Sequence, residues 1–204
     1  AELHRQGAVS GEEQTKELVA RIERESMRMS ALVEDLLVLA RMDQGPKMEI
    51  KPVNLSELVT DAVESARAAG PGHPITLVKS DLEDDIYALG DANRIHQVVA
   101  NLLANARVHT PVGTQIKVSI AQSEKEVQVS ISDNGPGLSE ENREKIFERF
   151  YRVDPSRQRT GAEGSGLGLS IVDAVMRSHG GHVSVDSKLG EGSTFTLHFP
   201  LQAI

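Results

Sequence analysis

Cysteine and tryptophan are absent from the 204 residues, and aromatics make up only 3%. Without a thiol, disulfides and thiol chemistry are excluded, and a reducing compartment is compatible with the chain. With so few aromatic rings the core has to be built from Val, Ile, Leu and Ala. Basic residues are in deficit, 22 Lys and Arg against 30 Asp and Glu for a net charge of -8, which argues against a nucleic-acid surface as the main role. No apolar run approaches the roughly 20 residues that span a bilayer, and no signal peptide opens the chain. What remains is ordinary for a soluble globular protein, 39% hydrophobic and 25% charged, with length for one large domain or two small ones. The chain opens inside what reads as a helix, so it is expected to be part of something longer.

Residues 12 to 43 read as one long charged helix. Leu18, Ile22, Met29, Leu32, Leu36 and Leu39 recur in steps of four and three, interrupted only by Glu25, which is a heptad seam. Val19, Val33, Leu37 and Ala40 widen that seam as a four-helix bundle requires. The competing reading is a helix lying on its own globular domain; the width of the seam favours an oligomerising bundle. Residues 1 to 6 read as the tail of a preceding helix, turned at Gly7 to Gly11. Gly45-Pro46 stops the long helix, giving an expected division into residues 1–45, a partial helical hairpin, and 46–204. Asn54 and Glu57 form a capping box for a helix through about Ala69, and strands are expected near 75–80 and 85–89, then a helix from Asp91 to Val108. Alternation at Ile116, Val118, Ile120 and at Val127, Val129, Ile131 predicts an antiparallel pair with one wet face. A helix ending at His179 and strands carrying Val183, Val185 and Phe195, Leu197, Phe199 follow. The expected fold is α+β: a two-layer α/β sandwich, with a mixed, largely antiparallel sheet covered by helices on one face, preceded by the long bundle helix.

Asn101 and Asn105 stand one turn apart and off the apolar stripe Ile95, Val98, Val99, Leu102, Leu103. Asparagine is a poor helix former, so two at this spacing ask for a reason beyond a surface helix. Paired carboxamide oxygens suit a magnesium ion that keeps water and phosphate oxygens as its other ligands. Asp133 closes a strand beside Gly135 and Gly137; a carboxylate there can accept from the exocyclic amine of adenine, and the glycines let backbone pass close to the base. The plain alternative is a turn, since Asn-Gly and Pro-Gly are turn dipeptides. Gly164 to Gly168 leads into a helical stripe, Leu169, Ile171, Val172, Val175 and Met176, so its backbone N–H groups offer a phosphate site. A phosphate-loop lysine and a preceding strand are both missing, which excludes a P-loop and a dinucleotide fold. The unpatterned stretch from Arg152 to Gly161 reads as a lid, with Arg152, Arg157 and Arg159 either closing over phosphate or simply solvated.

Asn101-x-x-x-Asn105-Ala106, Asp133-x-Gly135-x-Gly137, Phe147 to Arg152, Gly164-x-Gly166-x-Gly168 and Gly190-x-Gly192-Ser193-Thr194-x-Phe195 occur in the order of the N, G1, F, G2 and G3 boxes. Residues 47 to 200 thus resemble the catalytic ATP-binding domain of bacterial sensor histidine kinases. Arg21 to Asp43 resembles the second helix of the same family's dimerisation and phosphotransfer bundle. The resemblance implies Mg2+ and triphosphate on Asn101 and Asn105, and Arg152 near the γ-phosphate. It implies adenine on Asp133, Gly135 and Gly137 with support from Thr194, and phosphates on Gly164, Gly166, Leu167 and Gly168. It also implies ATP and Mg2+ as cofactors, a response regulator and a second copy as partners, no nucleic acid, and a cytoplasmic place, with a membrane only through upstream segments. The sequence departs from the family twice. None of the seven histidines, His4 included, is followed by the acidic residue and nearby Thr-Pro of a phosphoacceptor. Val108 stands where many relatives carry lysine, leaving Arg107 or His109 to compensate. Two further readings remain open: an ATPase of the gyrase and Hsp90 superfamily, disfavoured because Asn101 replaces a water-activating glutamate, and a binding module or anti-sigma serine kinase of similar fold.

Overall fold

The computed structural model describes residues 12–43, 48–78, 85–153 and 166–201. The chain divides into two compact units between Val38 and Leu39. Helix α1 (Glu12–Asp43) runs through 32 residues, as the heptad pattern requires. On it Leu18 and Leu32 are half-buried, whereas Val19, Ile22, Met29, Val33, Leu36 and Leu37 are exposed. The hairpin expected before it and the Gly45-Pro46 stop lie outside the described residues.

The larger unit opens with β1 (Lys51–Asn54) and α2 (Leu55–Ala69). The N-cap half of the expected capping box forms, with Asn54 Oδ1 accepting from the Glu57 N–H at 3.1 Å. Then come β2 (Ile75–Val78), β3 (Tyr87–Gly90) and α3 (Ala92–Val108). Asp91 caps α3 by accepting from the N–H groups of Asn93 and Arg94. β4 (Ile116–Gln122), β5 (Glu126–Asp133), the short α4 (Glu140–Lys145), α5 (Gly168–Ser178), β6 (His182–Lys188) and β7 (Gly192–Pro200) complete it.

Five strands make the main sheet, in the order β2-β4-β5-β7-β6, with β2 parallel to β4 and the other pairings antiparallel. Strand alternation sorts its two faces. Ile116, Val118, Ile120, Val127, Val129, Ile131, Leu197 and Phe199 are buried against the helices, where each side chain contributes about 1.5–3 kcal/mol. Leu55, Val59, Val63, Ile95, Val99, Leu103, Ile171, Val172 and Val175 supply the helical half of the core. This is the expected mixed two-layer sandwich. One strand was not foreseen: β1 pairs with β3 in a separate two-stranded sheet, Val53 opposite Ala88. A four-residue segment interrupted by Pro52 carries no alternation to announce it.

Candidate nucleotide site

Two ends of the sandwich layer meet at the site, the C-terminal half of α3 and the N-terminus of α5. Asn101 and Asn105 are both half-buried on α3. The Asn101 Nδ2 group is enclosed and has no hydrogen-bond partner among the described residues, an unmet donor of the kind native proteins rarely keep without cause. A Cβ built on Gly168 would lie 4.0 Å from Asn105 Oδ1, so the first turn of α5 sits beside that carboxamide. Leu167, the N-cap of α5, makes no side-chain cap hydrogen bond, and a helix N-terminus is where backbone N–H groups can meet an anion. The donor set fits a magnesium triphosphate: neutral oxygens on one side, a helix N-terminus on the other.

The opposite end of the site is an interlock of two turns. Asp133 Oδ1 accepts from the Gly135 N–H at 2.8 Å. Burial pushes the Asp133 carboxyl above its usual range, against backbone donors on Gly135 and Ser193 that pull it down. Gly137 has φ +67°, and a Cβ there would lie 2.0 Å from the Lys188 carbonyl oxygen; Gly192, φ +97°, would meet the Asp133 carbonyl oxygen at the same distance. Only glycine allows these backbones to touch. The Gly190 N–H donates to Pro136 O at 2.8 Å, and a Cβ on Gly135 would strike Thr110 Cγ2 at 2.6 Å. Backbone of the two turns and the Thr110 side chain therefore crowd round Asp133.

Strand alternation separates two of the residues that the motifs put together. Ser193 pairs with Asp133 across β5 and β7, whereas Thr194 pairs with Ser132. The Thr194 hydroxyl lies 2.9 Å from Ser132 Oγ on the open face of the sheet, away from the Asp133 side. The hydroxyl on the Asp133 side belongs to Ser193, which is buried and 2.9 Å from Ser187 Oγ. Ser187 itself donates to Gly192 O and accepts from the Leu138 N–H, tying both turns together. Neither Ser187 nor Thr110 had a motif to mark it; Ser193 was visible in the G3 box but is assigned to a face only once the register is known.

The remaining expectations divide. His109 ends α3, donating its N–H to Asn105 O at 3.0 Å, one residue beyond the exposed Val108. Arg107 is turned away: its Nη2 donates to Ala69 O at 2.8 Å, and its guanidinium covers Gly70. Of the two residues weighed as substitutes for a lysine at Val108, Arg107 is thus committed elsewhere. Arg152 is half-buried, two residues after Phe150, whose N–H donates to Gly166 O at 3.0 Å. Phe150 holds a left-handed backbone, φ 65°, and a Cβ on Gly166 would come within 2.9 Å of it. That contact brings the Arg152 segment to the doorway of α5. Gly164, Arg157 and Arg159 lie outside the described residues.

Residues 90–203 match the family of histidine kinase-, DNA gyrase B- and HSP90-like ATPases, and residues 1–45 match the His kinase A (phospho-acceptor) domain. The chain belongs to the sensor histidine kinases. Residues 90–203 are its ATP-binding catalytic domain. The chain is 45% identical over 184 residues to the probable sensor histidine kinase TcrY of Mycobacterium tuberculosis, covering 90% of this chain and 38% of that protein. It is 37% identical to the sensor histidine kinase TrcS of the same organism, over 98% of this chain and 40% of TrcS. It thus spans well under half of these relatives' own length. Among solved structures, full-length ShkA in complex with AMPPNP superposes with a TM-score of 0.78 at 26% identity, over 96% of this chain and 40% of ShkA. The mycobacterial sensor histidine kinase MprB does so with 0.64 at 28%, over 76% and 99%.

Proposed function

We propose that this chain binds MgATP and, within the full-length protein, donates the γ-phosphoryl group to a histidine of the bundle, for onward transfer to a response-regulator aspartate. The observation that carries the reading is the juxtaposition of Asn105 with the first turn of α5. Phosphoryl transfer asks the protein for positioning and charge neutralisation rather than covalent help. Asp133 holds the adenine amine, and Thr110, Gly135 and Gly137 fix the base plane. Gly166, Leu167 and Gly168 present N–H groups to the phosphates, with His109 and Arg152 at their flanks. Asn101 and Asn105 would hold the magnesium ion, whose positive charge would offset that of the phosphate oxygens. The AMPPNP in ShkA supports a nucleotide in the equivalent site.

Residues 1–45 form the bundle portion and 46–204 the catalytic portion of a cytoplasmic assembly; the match of residues 1–45 to the His kinase A domain supports the first of these. No histidine of this sequence has the acceptor context, so the chain alone binds nucleotide without phosphorylating itself. Calorimetric titration with a nonhydrolysable ATP analogue tests the binding: saturable heat that needs magnesium and disappears in Asn105→Ala is expected, and no heat with magnesium present defeats the reading. Incubation with labelled ATP tests the second half, since label retained on this chain would contradict it.

A further inference from the structure

The face of the main sheet turned away from the helices carries an arrangement that the nucleotide site does not use. Ser184 on β6 has its Oγ 2.8 Å from His198 Nε2 on β7. His198 Nδ1 lies 3.0 Å from Glu126 Oε1 on β5. The sheet builds this line of three: His182 and His198 are opposed in register, and Ser184 and Glu126 stand at the diagonal positions on either side. The His182 ring stacks on that of His198, centroids 4.1 Å apart and planes 6° off parallel. His198 is 14% exposed and Glu126 29%, while Ser184 at the end of the line is exposed.

The proton positions follow from what each group can do. Gln128 Nε2 donates to Glu126 Oε1 at 2.6 Å, and this bond, then that from His198, holds the Glu126 carboxyl below its usual range. An ionised carboxylate only accepts, so Nδ1 of His198 carries the hydrogen. In the neutral ring Nε2 is then an acceptor, and the Ser184 hydroxyl donates to it. Polar side chains on a wet sheet face often bond to one another without consequence. Here they form a nucleophile, a base of fixed tautomer and a carboxylate that orients it, each within about 2.6–3.2 Å of the next.

We propose that Ser184 is a base-activated nucleophile that takes an acyl group from small activated carboxylic esters, with His198 as general base and Glu126 and His182 as positioning residues. Ser184 Oγ attacks the ester carbonyl carbon as its proton passes to His198 Nε2. The adduct collapses by breaking the bond to the alkoxy oxygen, which leaves as the alcohol with the proton returned by His198. Ser184 keeps the acyl group as an ester. Because Ser184 is open to solvent, the donor is chosen by reactivity rather than by fit, and no residue of the nucleotide site takes part.

The test is incubation of the full chain with p-nitrophenyl acetate, with acetylation of the Ser184 peptide followed by mass spectrometry. An adduct on Ser184 is expected, lost in Ser184→Ala. A positioned base contributes about 10²–10⁴-fold in enclosed sites, so at this open one His198→Gln is expected to slow Ser184 acetylation about tenfold or more. Glu126→Gln slows it too and Glu126→Asp restores part of the rate, a rescue that a purely structural carboxylate would not give. Thermal melting and binding of an ATP analogue, measured on the same variants, are expected to stay at the parent values. No adduct on Ser184 in the parent chain, or equal acetylation in a folded His198→Gln, overturns the proposal.

Discussion

Glycines at the nucleotide site differ in why they are glycine, and the difference is measurable. Gly137 and Gly190 both hold positive φ, which costs an ordinary residue about 1–2 kcal/mol. A Cβ at Gly190 meets nothing within 4 Å, whereas one at Gly137 would collide with the Lys188 carbonyl oxygen. Gly190→Ala is therefore expected to lower unfolding free energy in urea by about 1–2 kcal/mol, and Gly137→Ala by on the order of 3 kcal/mol or more, with nucleotide binding lost. Equal costs for the two would mean that the turn at Gly137 relaxes freely. A second pair of neighbours separates by side of the sheet. Ser193 stands on the Asp133 side and Thr194 bonds to Ser132 on the far one. Affinity for an ATP analogue should fall several-fold in Ser193→Ala, on the order of 1 kcal/mol for a lost buried hydroxyl, and stay within about twofold in Thr194→Val. The reverse ranking would restore Thr194 to the adenine pocket.

Elements are joined here by a buried histidine as much as by apolar packing. His179 ends α5, with Nδ1 2.8 Å from Val175 O and Nε2 accepting the Asp91 N–H at 3.0 Å. A carbonyl only accepts, so Nδ1 bears the hydrogen and the ring must be neutral to receive Asp91. A Cβ on Gly90 would meet His179 Cδ2 at 2.7 Å, so the ring reaches the α3 cap only because residue 90 is glycine. Burial, foremost among its influences, pulls the folded-state pKa of His179 below the ordinary value. The unfolded chain then takes up the proton first as pH falls. The contribution of His179 to stability is complete above the ordinary histidine pKa of about 6.5 and declines below it. Urea midpoints at pH 8 and pH 5.5 should differ more in the parent than in His179→Gln; an equal difference would place the acid sensitivity elsewhere. This tie was illegible in the sequence, where His179 is only a helix end. Signals confined to a few neighbouring residues were legible: the Asn54 cap, the α3 stripe with its two asparagines, the alternation of β4 and β5. Pairings across long separations were not, because a register fixes which side chains share a face. That is why β1 opposite β3, Ser187 between the two turns, and Ser193 on the Asp133 side of the sheet emerge only from the fold.

At the scale of the whole molecule, much of the apolar seam of α1 is exposed among the described residues. Val19, Ile22, Met29, Val33, Leu36 and Leu37 are 40–62% exposed, on a helix of 32 residues, about 48 Å long. Helices draw most of their stability in water from packing an amphipathic face. A seam in steps of four and three, broadened by Val33 and Leu37, suits a bundle assembled from two copies. Sedimentation equilibrium of the parent chain should then show a concentration-dependent dimer, and Ile22→Glu with Val33→Glu should shift it to monomer by forcing charges into the seam. Nucleotide binding provides the control, because every residue assigned to the ATP site lies in the other compact unit, beyond Leu39. Dissociation with unchanged affinity for an ATP analogue would separate assembly from nucleotide capture. A parent chain that stays monomeric at high micromolar concentration, or a double variant that associates as tightly as the parent, would mean that α1 is covered by something other than a second copy.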